Sequence, residues 1–145
     1  MAIVLYVLSL TLFQPATLVA GSGEVEAAVL TLEHYLRCEE SHREPCFSLL
    51  SKAALRRWAE QGVTTKKAYA DVKRSVGVSY GDFTLQETVR QGDTIIIKSQ
   101  IRRFCEVGSG EPKGGEQTTM SFYLVREGAQ WKIDKMTEGS HEYLP

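Results

Sequence analysis

Residues 120–133 read Met-Ser-Phe-Tyr-Leu-Val-Arg-Glu-Gly-Ala-Gln-Trp-Lys-Ile, and they have the pattern of a β-hairpin. Large apolar side chains recur at every second position of the first half, which is typical of a strand with one buried face. Glu127 and Gly128 are turn formers, and Trp131 and Ile133 then resume the period of two. We therefore predict two antiparallel strands joined by a short turn.

A run with the same period of two precedes this hairpin. We predict a long strand over Thr94–Glu106, because three isoleucines share one parity. They are Ile95, Ile97 and Ile101. Arg103 and Cys105 continue that parity, which leaves two alternatives. Either Arg103 points inward, or a β-bulge near Arg102-Arg103 reverses the parity and turns Phe104 inward.

An earlier strand is predicted after Gly81, and a tight turn at Gln91–Asp93 joins it to the long strand. Its positions of one parity are Phe83, Leu85, Glu87 and Val89. We expect this parity to face inward, with Glu87 near a strand end. The second half of the chain is thus predicted to be an antiparallel meander.

Before Gly81 the apolar spacing is helical. A first helix, capped by Ser22 and ending near Arg37, is predicted from apolar residues three and four positions apart. These are Val25, Ala28, Val29, Leu32, Tyr35 and Leu36. The polar run 39–44 is expected to interrupt it, and Pro45 suits the first position of a short new helix.

Two further helices are predicted before the strands begin. Ser51 caps a helix that carries Leu55 and Trp58 and ends at Gly62, because serine accepts backbone hydrogen bonds at helix starts and glycine favours helix ends. Thr64 or Thr65 caps the next helix, which should stop before Gly77 and bury Ala68, Tyr69 and Val72. Helices followed by an antiparallel meander make the fold class α+β.

Length and charge limit the range of functions. The chain has 145 residues and a formal net charge of −1, so one domain with its own core is expected. No long run of positive charge is present, and the electrostatic footprint of a nucleic-acid-binding protein is therefore missing. We expect no nucleic-acid partner.

The first residues have the features of a secretory signal peptide. Met1–Gly23 contains no charged side chain, and the apolar run Ile3–Phe13 is followed by small residues up to Ala20-Gly21. We predict a signal peptide at 1–20, a single domain at 21–145 and export to the periplasm or beyond. A membrane anchor is less favoured because the apolar run is shorter than the about 20 residues that span a bilayer. A buried first strand or helix is the remaining alternative.

A set of possible metal ligands or cross-linking thiols lies between the first two helical segments. His34, Cys38, His42 and Cys46 are each four residues apart. On a continuous helix these side chains would form a zinc site, but Pro45 argues for a turn. In an exported chain a Cys38–Cys46 disulfide is favoured, and unpaired thiols are the third alternative. Cys105 is expected to be a small buried apolar residue.

The order of these elements carries a resemblance. The helices, the Leu49-Leu50-Ser51 start of the second helical stretch and the closing Gly128-Ala129-Gln130-Trp131-Lys132-Ile133 resemble the nuclear transport factor two-like superfamily, especially its small exported domains. The resemblance covers about residues 24–135. It implies a cone in which a curved sheet surrounds a helix and leaves a cavity that is catalytic, binds a small ligand or is filled by side chains.

The resemblance also suggests which residues face the cavity. The residues expected to line it are Tyr35, Trp58, Tyr69, Glu87, Arg103, Phe122 and Trp131. Arg103 at the cone mouth is suited to bind a carboxylate or phosphate. No convincing acid–base pair emerges, so no catalytic residue is assigned, and neither a metal nor another cofactor is expected. The loop 108–115 lacks the strand-to-helix context of a phosphate-binding loop and is interpreted as a solvent-exposed loop or lid.

These observations lead to two functional hypotheses. The first is a non-catalytic exported domain that binds a small apolar or amphipathic ligand or a protein partner. The alternative is a small cavity enzyme of the isomerase, dehydratase or hydrolase type that uses Tyr35 or Tyr69 with Glu87 or Arg103. A homodimer through the open sheet face, which carries Tyr123 and Val125, is expected in either case.

Overall fold

The computed structural model describes residues 22–41, 43–105 and 115–145. The predictions made for the signal peptide, for His42 and for the loop at 108–114 concern residues outside these ranges. Within them, no helix is long and apolar enough to cross a membrane.

Helices come first along the chain and strands follow. The helices are α1 (Ser22–Ser41), a short 3₁₀ helix (Pro45–Leu49), α2 (Lys52–Glu60) and α3 (Lys66–Val76). The strands are β1 (Val78–Gln91), β2 (Thr94–Cys105), β3 (Glu116–Glu127), β4 (Gln130–Glu138) and β5 (His141–Tyr143). They form one antiparallel sheet in the order β1-β2-β3-β4-β5. The predicted α+β class is confirmed.

Side-chain caps begin α2 and α3 at the predicted residues. The Ser51 hydroxyl accepts a hydrogen bond from Ala54 N, and the Thr65 hydroxyl accepts one from Ala68 N. Each cap satisfies a backbone N–H that has no partner within its helix. Gly77 ends α3 in the left-handed conformation, with φ 64°, and β1 begins at the next residue.

Helix α1 is longer than predicted. It runs to Ser41 rather than ending near Arg37, so the polar run at 39–44 does not interrupt it where expected. The reason is that Cys38 and Glu39 are buried on the inner side of the helix, where they continue its buried face.

Two irregularities in β1 correct the predicted parity of that strand. The pairing with β2 shifts between Gly81 and Thr84 and again between Leu85 and Glu87. Leu85 lies opposite Ser99, whereas Glu87 lies opposite Lys98, on the other face of the sheet. The prediction that Glu87 faces inward is therefore wrong, because the second shift reverses the parity. Val89, opposite Ile96, is 38% exposed for the same reason.

Pairing between β2 and β3 is continuous from Thr94↔Val125 to Arg103↔Glu116. The first of the two alternatives for β2 therefore holds: Arg103 keeps the parity of Ile101, which is fully buried. Its side chain is 23% exposed, because it lies beyond the edge of the packed core. Arg103 thus occupies the helix-facing side of the sheet at one end.

The core lies between the helices and the concave face of the sheet. Fully buried members from the helices include Leu32, Tyr35 and Tyr69, and those from the sheet include Ile97 and Phe122. Most of the apolar surface that stabilises the fold is buried in this one layer.

A direct contact joins the start of α2 to β4. Ser51 N donates to the Ile133 main-chain oxygen over 2.8 Å, and Leu50 forms a parallel bridge with Ile133. The Ser51 hydroxyl also donates to Asp134 Oδ1 over 2.6 Å. Ser51 therefore caps α2 and anchors it to the sheet at the same time.

Candidate functional site

Five of the seven residues predicted to line a cavity are packed in the interior. Tyr35, Tyr69 and Phe122 are fully buried, and Trp58 and Trp131 are each 7% exposed. The Trp58 and Tyr69 rings meet edge to face with centroids 5.3 Å apart. Side chains therefore fill this part of the cone at close contact distances.

A surface cleft of about 380 Å³ lies between α1 and β1. We call it the α1–β1 cleft. Apolar side chains and one tyrosine line part of it, namely Leu36, Phe83, Ile101 and Tyr80. The charged residues that line it are Glu33, Arg37, Glu40 and Asp82. Such a combination of apolar surface with a few polar groups is typical of sites for small amphipathic molecules.

The irregular part of β1 shapes this cleft. Asp82 has a left-handed backbone with φ 50°, which is unusual for a residue other than glycine, and it lies within the first shift in the β1–β2 pairing. Its carboxylate forms an ion pair with Arg102 Nε over 2.9 Å. The bulge at 82–83 places the half-buried Phe83 ring in the cleft wall.

Tyr80 is the titratable residue on the apolar wall of the cleft. Burial, followed by the proximity of Glu39, raises the pKa of its hydroxyl to about 12. The phenol is therefore neutral at ordinary pH and can donate a hydrogen bond but not serve as a base. The sequence pattern does not place Tyr80 in the strand, because it predicts a start after Gly81, whereas β1 begins at Val78.

A second cleft, of about 450 Å³, lies on the other side of α1 against the 3₁₀ helix and the β3–β4 turn. Trp131 is the predicted cavity residue that lines it, together with Leu49 and Lys132. Lys132 Nζ donates to the Ser48 main-chain oxygen over 2.6 Å, so its ammonium group is already engaged.

A buried polar cluster lies at the end of α1, and the sequence analysis missed its central residue. Glu39 is fully buried, and Tyr69 donates its hydroxyl to Glu39 Oε1 over 2.8 Å. Lys73 Nζ is 3.1 Å from Oε2, close enough for an ion pair although its direction of approach does not make a hydrogen bond. Its spacing in the sequence could have identified it. Ala28, Leu32, Tyr35 and Glu39 follow one another at intervals of four, three and four, which places all four on one face of a helix.

Tyr35 and Tyr69 both contribute hydroxyls to this region. Burial and then the Glu39 charge raise the pKa of each hydroxyl. The Tyr35 hydroxyl makes no hydrogen bond of normal geometry within the described part of the chain, although the Tyr69 hydroxyl lies close enough to contribute to its pKa shift. Both phenols are therefore neutral donors, and one of them has an unused hydrogen bond.

Arg103 lies in a separate cluster at the end of the sheet. It forms ion pairs with Glu138 over 2.6 Å and with Glu116 over 3.3 Å. Glu138 also accepts hydrogen bonds from the hydroxyls of Thr118 and Tyr143. The Thr118 hydrogen bond, followed by the Arg103 charge, lowers the pKa of Glu138. The guanidinium expected to bind a ligand carboxylate is thus paired with two carboxylates of the chain itself.

The predicted disulfide is present. Cys38 and Cys46 are bonded, with Cα atoms 5.6 Å apart, and link the end of α1 to the 3₁₀ helix. The bond excludes the alternative in which both thiolates bind zinc. No group of three or more potential metal ligands occurs among the described residues.

Comparison with known proteins gives matches in structure alone. No family model matches the chain, and no curated protein matches its sequence. A proposed dehydratase of the nuclear transport factor two-like family from Streptomyces avermitilis is 17% identical, with a TM-score of 0.53 over 80% of this chain and 96% of that one. A proposed scytalone dehydratase from Novosphingobium aromaticivorans is 12% identical, with a TM-score of 0.52 over 85% of this chain and 88% of that one.

Identities of this size carry information about the fold and not about the activity. The aligned proteins extend over most of both chains, and the three helices and the antiparallel meander are the elements expected from the resemblance. This chain therefore has the fold of the nuclear transport factor two-like superfamily.

Proposed function

We propose that this chain is an exported, non-catalytic domain that binds a small apolar or amphipathic ligand in the α1–β1 cleft. The observation that carries the proposal is the contrast between a filled interior and an open cleft of about 380 Å³ with both apolar and charged walls. Binding sites for small molecules commonly have volumes of about 300–1,000 Å³.

The composition of the cleft suits an amphipathic ligand in particular. The half-buried Phe83 ring offers apolar surface that favours burial of a hydrocarbon or ring, and the buried Leu36 and Ile101 side chains support the cleft wall behind it. The neutral Tyr80 hydroxyl offers a hydrogen bond, and the charged side chains along the cleft can orient a polar group of the ligand. Apolar contacts that hold a ligand, together with polar groups that orient it, support binding without a catalysed reaction.

The proposal of export rests on the disulfide and on the apolar leader sequence. The Cys38–Cys46 disulfide is of the kind that persists in oxidising compartments, and the uncharged apolar leader at 1–20 is typical of secreted precursors.

A homodimer through the sheet face remains part of the proposal. Tyr123 and Val125 are half-buried there in the single chain, and Lys135 lies over the Tyr123 ring at 4.5 Å.

A small cavity enzyme is the second candidate, because one observation favours it. The Tyr35 hydroxyl is buried near Glu39 and makes no hydrogen bond in the described part of the chain, and an enzyme of this type would have to open the packed interior to bring a substrate to it. Incubation of the protein with any compound that copurifies with it would separate the two candidates, since an enzyme converts the compound and a binding domain releases it unchanged.

The test of the binding site compares two charge substitutions in β1. Phe83→Asp places a carboxylate in the cleft wall, whereas Val89→Asp places one at a position that is 38% exposed and outside the cleft. We expect Phe83→Asp to weaken binding of the neutral dye Nile red about tenfold or more, since a tenfold change needs only about 1.4 kcal/mol. Val89→Asp should leave it unchanged.

Native mass spectrometry of the protein purified from its expressing cells is the parallel measurement. A bound small molecule that is lost in Phe83→Asp and retained in Val89→Asp supports the proposal. Equal binding by both variants, or binding of neither compound nor dye by the wild-type protein, contradicts it.

A further inference from the structure

The two walls of the α1–β1 cleft differ in character. Helix α1 contributes the charged side chains of Glu33, Arg37 and Glu40, which follow one another at intervals of four and three and therefore lie along one face of the helix. Strand β1 contributes the aromatic rings of Tyr80 and Phe83. A molecule in the cleft thus lies between a charged helix face and an aromatic strand.

The charge balance of the lining is negative. On the strand side, the carboxylate of Asp82 is balanced by Arg102, whose Nε lies 2.9 Å away. On the helix side, two carboxylates, those of Glu33 and Glu40, accompany the guanidinium of Arg37. An excess of one negative charge therefore remains on the α1 wall, and a cleft with such an excess attracts cations.

Both carboxylates on the α1 wall are available to a ligand. Within the described part of the chain, neither Glu33 nor Glu40 lies within ion-pair distance of a basic side chain, although Arg37 is about one helical turn from each. Glu33 is half-buried and Glu40 is exposed. A cation can therefore approach either carboxylate without breaking an ion pair of the chain.

Tyr80 supplies a further polar group on the opposite wall. Its side chain is 8% exposed and lines the cleft, and its hydroxyl makes no hydrogen bond with another described residue. A phenol oxygen accepts hydrogen bonds as well as donating one, so it can bind an N–H donor of a ligand. The rings of Tyr80 and Phe83 also attract a positively charged nitrogen through their π faces.

From these contacts we propose that the ligand of the α1–β1 cleft is an amphipathic amine, which is a hydrocarbon chain or ring that carries one protonated amino group. This inference rests on the proposed function, because it names the chemistry of the ligand for the same cleft. The ammonium group balances the excess charge of Glu33 and Glu40 and donates a hydrogen bond to Tyr80. The hydrocarbon part packs against the half-buried Phe83 ring.

An anionic amphiphile is disfavoured by the same residues. Arg37 could attract an anion, but a carboxylate lies about one helical turn from it on either side. An anion beside Arg37 would therefore be repelled by both Glu33 and Glu40. A neutral amphiphile gains the contact with Phe83 but no attraction from the charges, so it should bind with intermediate affinity.

Three ligands with the same octyl chain test the preference for a positive charge. Octylammonium, octanol and octyl sulfate are titrated against the wild-type protein with bound Nile red, at neutral pH and at concentrations where they remain monomeric. We expect octylammonium to displace the dye at about fivefold lower concentration than octanol, and octyl sulfate to be the weakest competitor. Added salt should reduce these differences, because it screens exposed charges.

A pair of double substitutions assigns the preference to the α1 wall. Glu33→Gln/Glu40→Gln removes both carboxylates and nearly keeps the size of the side chains. It should weaken octylammonium binding about fivefold and leave octanol binding unchanged. Glu26→Gln/Glu60→Gln is the matched control, because it makes the same change in net charge at exposed positions outside the cleft. This control variant should bind all three compounds like the wild type.

Failure of this inference and failure of the proposed function give different results. If Nile red and octanol bind and Phe83→Asp abolishes their binding, but octylammonium shows no advantage, the amine is excluded and the cleft remains a site for neutral ligands. An advantage of octylammonium that persists in Glu33→Gln/Glu40→Gln would also overturn the inference. If neither the dye nor any octyl compound binds the wild-type protein, the proposed function fails and the inference fails with it.

Discussion

Replacing Glu39 with glutamine tests whether the buried cluster at the end of α1 is held by charge. The carboxylate is fully buried, accepts the Tyr69 hydroxyl over 2.8 Å and lies 3.1 Å from Lys73 Nζ. Glutamine has nearly the same volume and keeps an oxygen that Tyr69 can use. The substitution therefore removes the negative charge while preserving the packing and one hydrogen bond.

The expected cost follows from the burial of the two partners. Removing one member of a buried ion pair destabilises a protein by about 3–5 kcal/mol, because the remaining charge has no partner. Lys73 retains 12% exposure of its side chain and can turn its ammonium group toward water. We therefore expect about 3 kcal/mol for Glu39→Gln, the low end of that range.

The assay is a double-mutant cycle measured by urea unfolding. The cycle contains Glu39→Gln, Lys73→Met and the protein with both substitutions. When both charges are absent, no charge is left unpaired, so the double variant should lie within about 1 kcal/mol of the wild type. Lys67→Met is the control: its ion pair with Asp71 has side chains 78% and 50% exposed, and its loss should cost less than about 1 kcal/mol.

The reasoning fails if the two single substitutions are additive. Additivity would mean that Glu39 and Lys73 do not interact in solution, despite the 3.1 Å separation. A cost for Glu39→Gln as small as that of Lys67→Met would likewise contradict the burial of the charge. Either result would mean that Glu39 contributes to stability through its hydrogen bond with Tyr69 and not through an ion pair with Lys73.

Three further predictions follow from contacts within the chain. The double substitution Cys38→Ala/Cys46→Ala removes a cross-link between residues 8 apart and should cost about 2.5 kcal/mol, measured by urea unfolding; a reductant should lower the stability of the wild type but leave this variant unchanged. Ser51→Ala removes the α2 cap and the hydrogen bond to Asp134, and should lower the free energy of unfolding by about 1–2 kcal/mol. Because burial raises the pKa of Tyr80 from 10.0 to about 12, the folded chain keeps this proton after the unfolded chain has lost it, so stability should fall between about pH 10 and 12; Tyr80→Phe should reduce that fall, in urea midpoints compared at each pH.

The order and type of the elements could be predicted because each is encoded locally. Ser51 and Thr65 begin their helices with side-chain caps that any serine or threonine can make at that position. Gly77 ends α3 because a left-handed residue suits glycine best. The parity of β2 could also be predicted as far as Ile101, whereas two alternatives stayed open at Arg103 and only the regular pairing with β3 decides between them.

The parity of β1 could not be predicted, because its irregularities depend on the neighbouring strand. The alternation of Phe83, Leu85 and Glu87 along the sequence is regular, and nothing local indicates the shift that turns Glu87 to the opposite face. The α1–β1 cleft could not be predicted for the same reason. The α1–β1 cleft depends on the backbone of Asp82 and on the bulge beside it, whereas a pattern of side chains contains neither.

Burial of the aromatic residues was predicted correctly, but whether they line a space or fill it was not. Apolar periodicity identifies which side chains leave water and says nothing about the distance between them. The edge-to-face contact of the Trp58 and Tyr69 rings depends on such a distance, which only the tertiary structure determines. The prediction that Arg103 would bind a ligand has a similar limit, because Glu138 lies 35 residues away in sequence and pairs with it only in the fold.

The end of α1 explains why the helix continues past Arg37 into a polar run. Arg43 adopts a left-handed backbone with φ 58°, which costs a residue with a side chain roughly 1–2 kcal/mol relative to glycine. Three interactions offset this cost: Arg43 N donates to the Cys38 main-chain oxygen over 2.9 Å, Arg43 Nε donates to the Glu39 main-chain oxygen over 3.1 Å, and the Cys38–Cys46 disulfide closes the loop. Since Glu39 lies between the cross-linked cysteine and the capping arginine, the contacts that end the helix hold its main chain in the last turns of α1, and its carboxylate contacts Tyr69 and Lys73 from that position.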